Sequence, residues 1–88
     1  MHKNIPNTHW RELISRLIKL EMAKKKLRYE DLSKLLEAHG TQQSSANLRN
    51  KINRGIMGAD LFVQLLVVMN VKHLDRDSML EILDALEE

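Results

Sequence analysis

From Trp10 onward, apolar side chains return every three or four positions: Leu13, Ile14, Leu17, Ile18 and Leu20, then Ala23 and Leu27. Arg11, Arg16, Lys19, Lys24, Lys25 and Lys26 occupy positions between them. A helix at 3.6 residues per turn gathers such a set on one side, whereas a strand would need strict alternation. The pattern therefore commits this part of the chain to one helix over about residues 8–26. Pro6 precedes it, and Asn7 or Thr8 is placed to cap its first free N–H groups. Trp10 is expected to anchor it in the core.

The same rule carries through the rest of the chain. A second helix is predicted over residues 29–38, with Leu32, Leu35 and Leu36 inward and Glu30 and Asp31 at the positive end of its dipole. Gly40 supplies a stop. A third helix, near residues 45–54, carries just two inward residues, Leu48 and Ile52, and ends at Gly55. Asp60 opens a fourth, in which Leu61, Phe62, Leu65, Leu66, Val68 and Met69 leave little polar surface. That helix is expected to be the buried centre, with Asn70 as its stop. Ile56 and Met57, between the two, are expected as core or staple residues. Asp75 or Asp77 caps a fifth helix holding Met79, Leu80, Ile82, Leu83 and Leu86. With three Gly, one Pro and no alternating strand pattern, the expectation is an all-α domain of five helices over residues 1–88. Residues 1–7 are expected to be flexible, and residues 78–88 to form the C-terminal helix.

Aromatic residues are 3% of the chain, so the core must be aliphatic, with Met as packing. The absence of Cys removes disulfides and thiolate metal sites and suits a reducing compartment. No apolar run approaches the roughly 18 residues of a membrane span, and the N-terminus lacks a signal-peptide core. A cytoplasmic protein without a membrane partner is expected. His2, His9, His39 and His73 are too scattered for a metal-ligand pair at helical spacing, and no phosphate loop or nucleophile elbow occurs. His39 near Ser44 and Ser45 is weak ground for a nucleophile and base. No enzyme activity, cofactor or small-molecule substrate is expected.

Charge is unevenly spread. Residues 1–55 hold twelve Lys/Arg against five Asp/Glu, a balance of +7, and residues 56–88 hold two against seven, a balance of −5. Such a chain either presents a basic face to a polyanion or pairs and solvates its own halves. The sharper signal lies in residues 38–59, which contain no Asp or Glu although 30% of the chain is charged. Amides there can pair with adenine and Arg or Lys with guanine, while hydroxyls and helix N-terminal N–H groups suit phosphate. The other reading is an ordinary exposed helix after a polar loop.

The order LRYEDLSKLL, turn, LRNKINRG, ADLFVQLLVVMNV resembles the helix-turn-helix domains of phage repressors and Cro-like regulators over residues 10–74. It is also similar to small bacterial domains of this type. Leu27, Leu32, Leu36, Ile52, Arg54, Gly55, Leu61, Leu65 and Val71 stand where that family places its framework. The segment between Leu36 and Leu48 is several residues longer than the family's tight turn.

The resemblance implies a lambda-repressor-like fold and a small transcriptional regulator of double-stranded DNA. By position, Gln42, Gln43, Ser44, Ser45, Asn47, Arg49 and Asn50 would meet bases in the major groove. Arg28, Tyr29, Lys51 and Arg54 would meet phosphates. A homodimer through Met79, Leu80, Leu83 and Leu86 of the last helix would follow the two-fold habit of such regulators. The alternative is a helical adaptor for protein partners that has lost base reading.

Overall fold

A computed structural model describes residues 5–87. Most of the expected flexible segment, His2 included, and Glu88 at the expected end of the last helix lie outside the described residues. Five helices follow in order: α1 (Asn7–Lys25), α2 (Tyr29–Ala38), α3 (Ser45–Arg54), α4 (Ala59–Val68) and α5 (Arg76–Leu86). No strand occurs among the described residues.

Local chemistry sets each boundary. At the start of α1 the cap position is Pro6, in extended conformation and without a side-chain cap bond, so Asn7 and Thr8 lie inside the helix. Its end is closed by Lys26 in the left-handed region (φ 55), where the Leu27 N–H reaches the Met22 carbonyl at 2.9 Å. The α2 entrance is held by Asp31, whose carboxylate accepts the Arg28 backbone N–H at 2.8 Å. Arginine has no acceptor to return the bond, so this is half a capping box. Gly40 (φ 86) turns the chain after α2, and the Thr41 N–H closes onto the Leu36 carbonyl. Asn70 (φ 58) does the same after α4. Asp75 caps α5 by accepting the backbone N–H groups of Asp77 and Ser78 and the Ser78 hydroxyl.

The core is one cluster in which α1 contributes Ile18 and Met22, α2 Leu32 and Leu36, α3 Leu48 and Ile52, and α4 Leu61 and Leu65, with Met69 following. Each fully buried Leu or Ile contributes about 1.5–3 kcal/mol of transfer free energy. Two residues on α3 therefore suffice to seat it. α5 lies outside this cluster and packs on α1. Leu13 of α1 and Leu83 of α5 are buried there, outside the central cluster.

Three expectations about burial need correction. Trp10 is 45% exposed, as is Leu20, although both fall in the apolar periodicity of α1. Ile56 is 47% exposed, and of its pair only Met57 packs against the core. α4 is an outer helix, not the buried centre: Leu61 and Leu65 face inward, but Val63 and Val67 are 54% and 63% exposed. An apolar composition shows that a helix can be buried on every side; whether a neighbour covers each side is a tertiary matter.

Candidate nucleic-acid interface

The solvent side of α3 follows from its inward residues. Leu48 and Ile52 are fully buried, and Ser45 and Lys51, on the flanks of the same side, are half-buried. The opposite side carries Ala46, Asn50 and Asn53 at i, i+4, i+7 spacing, flanked by Arg49 on one edge and by Asn47 and Arg54 on the other, all exposed. The positional assignment misses Asn53, although its spacing from Ala46 and Asn50 places it on that side. No acidic residue occupies the first turn of α3. Its positive dipole end is therefore left without a carboxylate of its own.

The start of α3 is shaped by residues that their sequence positions assign to bases. The Ser44 hydroxyl accepts the Asn47 N–H at 3.0 Å and is the N-cap. The Gln43 side-chain oxygen accepts from the Lys51 ammonium at 3.3 Å. The Gln43 backbone carbonyl accepts the Ser33 hydroxyl at 2.6 Å, in a partly buried contact. Ser33 thus ties the connection over residues 39–44 back to α2. That connection takes up the whole extra length seen in the sequence, leaving α3 at ten residues. Gln43, Ser44 and Ser45 have structural engagements, while Gln42, Asn47, Arg49 and Asn50 are exposed. Gln42, Gln43 and Ser44 line a polar hollow of about 390 Å³ with Ser33 and Glu37.

The cations divide similarly. The Arg49 guanidinium lies over the Tyr29 ring, 5.3 Å from its centroid. Arg28 is exposed and sits 3.7 Å from the Asp31 carboxylate. In the Lys24–Lys26 run, Lys24 lies 3.5 Å from Glu21, and Lys25 donates to the Asn70 carbonyl at 3.4 Å. The Lys24–Glu21 pair lies within α1 and, being exposed, contributes about 0–1 kcal/mol, whereas the Lys25–Asn70 contact joins the end of α1 to the end of α4.

On the far side of α2, a smaller apolar groove of about 170 Å³ is lined by Val63, Gln64, Val67 and Val68 of α4 with Leu36, His39 and Thr41. The His39 Nδ1 lies 2.9 Å from the Leu35 carbonyl. Among the described residues, no group of three His, Asp or Glu is placed to hold a metal ion. No described helix is long and apolar enough to cross a membrane. On α5, the expected dimer residues separate: Leu83 is 2% exposed and is spent within the chain, while Met79, Leu80 and Leu86 are half-buried.

Residues 10–74 match the family model described as Domain of unknown function (DUF6471), and the chain belongs to that family. Comparison with curated proteins finds no match. Comparison with solved structures finds none either.

Proposed function

We propose that this DUF6471 domain binds double-stranded DNA as a small transcriptional regulator, in a helix-turn-helix arrangement with α2 and α3 as its two helices. One observation carries the reading: the exposed side of α3 holds Asn47, Arg49, Asn50, Asn53 and Arg54 within a segment, residues 38–59, that contains no Asp or Glu. A phosphate-lined surface repels carboxylates, accepts hydrogen bonds from guanidinium and amide groups, and presents base edges that amides and Arg can read. The fold is well suited to expose that side, because two inward residues seat the helix and leave the rest free. Arg54 and Lys51 near its C-terminal end, with Arg28 beside α2, supply backbone contacts. No catalytic role is assigned.

A second reading is favoured by the outer side of α4. Val63 and Val67 form an exposed apolar stripe beside the groove at Leu36 and Val68, which suits an adaptor that docks a protein partner. A homodimer through α5 would now rest on Met79, Leu80 and Leu86, with Leu83 withdrawn into the fold.

The test is fluorescence anisotropy against random-sequence duplex DNA at several salt concentrations. DNA binding requires affinity at low salt and a steep linear fall of log affinity with log salt. Replacing Lys51 and Arg54 by Ala should reduce that slope by roughly one for each phosphate that is no longer neutralised. Absence of binding at low salt refutes the proposal and favours the adaptor. Sedimentation at tens of micromolar separates monomer from dimer.

A further inference from the structure

Arg49 is held differently from Arg16 and Arg28. Those two direct their Nε groups at carboxylates, Glu12 at 3.3 Å and Asp31 at 3.7 Å. Such contacts occupy the edge of the guanidinium plane, where its N–H donors lie. Arg49 instead has its guanidinium carbon over the Tyr29 ring, 5.3 Å from the centroid. No hydrogen bond or ion pair among the described residues engages its edge. The ring itself is fixed, since Tyr29 is half-buried and packs against the core at the first residue of α2.

We infer that Tyr29 is a positioning residue that holds Arg49 ready to read a guanine. This rests on the DNA-binding reading and deepens it. A cation–π contact holds the guanidinium without pairing its N–H donors to a carboxylate, so the two-pronged set stays available for the O6 and N7 acceptors of guanine. A long side chain that starts from a restrained rotamer loses less freedom when it binds. Arg49 lies on the edge of α3 turned toward α2, so the ring and the guanidinium together bridge the two helices. Tyr29 is thereby reassigned from a phosphate contact to a support for a base contact. The distinction has consequences, because a phosphate contact acts on all sequences alike and a support for base reading does not.

The experiment selects preferred duplexes from a random pool with the full-length protein, then measures affinity for the chosen site and single-base variants at several salt concentrations. The variants are Tyr29→Phe, Tyr29→Leu, Arg49→Lys and Arg49→Ala, each checked for native helix content and thermal unfolding. The expected result is one guanine position whose replacement weakens wild-type binding about tenfold or more. Tyr29→Phe keeps that discrimination because it keeps the ring. Tyr29→Leu, which keeps apolar bulk against the core, and Arg49→Lys, which keeps the charge, each reduce it to about twofold or less while the salt slope on random DNA stays unchanged. Full discrimination by Tyr29→Leu overturns the assignment, as does a preferred site with no guanine that Arg49→Lys affects. A normal salt slope without any base preference overturns this inference alone. Failure to bind any duplex at low salt overturns the DNA-binding reading itself, and this inference with it.

Discussion

Gly55 is where the seating of α3 can be tested most directly. It ends the helix in the left-handed region (φ 65), and it also lies against α1 so closely that a Cβ there would fall 1.8 Å from the Arg11 carbonyl oxygen and 2.5 Å from its carbon. Both partners are backbone, so no rotamer change can relieve the contact. Gly40 provides the control: its φ is 86, but nothing lies within 4 Å of where its Cβ would be. Ala in the left-handed region costs about 1–2 kcal/mol, and this is all that Gly40→Ala should lose. Gly55→Ala adds the displacement of α3 from α1, and overpacking of this kind costs roughly 1–3 kcal/mol more. An 88-residue domain with about 0.05–0.15 kcal/mol per residue holds only some 4–13 kcal/mol in all. Urea unfolding followed by circular dichroism should therefore show a loss of about 2–5 kcal/mol for Gly55→Ala, exceeding that of Gly40→Ala by about 1–3 kcal/mol. In thermal melts, about 4–8 °C per kcal/mol separates the two variants further. Equal losses in the two, within about 0.5 kcal/mol, would show that the approach of α3 to Arg11 is not tight and would refute the reasoning.

Three further outcomes are expected. Ser33→Ala removes the hydroxyl that holds the Gln43 carbonyl, so it should cost about 1 kcal/mol and speed amide exchange in residues 42–44, while unchanged exchange would mean the connection is held elsewhere. Asp75 has its pKa lowered, first by the Ser78 hydroxyl and then, against some desolvation, by the N–H groups of Asp77 and Ser78. A depressed folded-state pKa contributes stability that is complete above the ordinary value of 3.8 and fades as the pH falls through the lowered value. Amide protection of α5 in the wild type should then fall on acidification below that value, and in Asp75→Asn, which keeps a neutral cap, it should not. Leu83→Ala should cost about 2–5 kcal/mol of the docking of α5, seen as reduced amide protection over residues 76–86 with α2 to α4 retained. Global unfolding at the same denaturant concentration would show that α5 belongs to the central cooperative unit.

Much of the fold was legible because its determinants are local. Leu48 and Ile52 one turn apart, Gly55 past the last turn and Ser44 before the first define α3 within a dozen residues. α2 and α3 have the bounds that spacing and stop signals predicted, and of the two expected caps for α5, Asp75 and Asp77, it is Asp75 that serves. Pro6 and Lys26 were not legible in the same way. Pro6 caps nothing with its side chain, and Lys26 takes a left-handed conformation more common in Gly or Asn. The candidate interface was legible as a segment without carboxylates, since composition alone reveals that. Its arrangement was not, because Ser45 turns inward, Gln43 is engaged by Ser33 and Lys51, and Asn53 joins the outer stripe.

By itself, then, the sequence determined where α2 and α3 begin and end, how the apolar sides of the helices are spaced, and that one segment is free of negative charge. Interactions over three or four residues decide those properties, and they are present in any part of the chain that reaches helical geometry. Tertiary structure decided which apolar sides are covered: Leu61 but not Val63, Leu13 but not Trp10. It alone brought Tyr29 beneath Arg49, Ser33 to Gln43 and Gly55 against Arg11. Burial and contact depend on which neighbour arrives from elsewhere in the chain, and helical periodicity says what a face can accept without saying what will meet it.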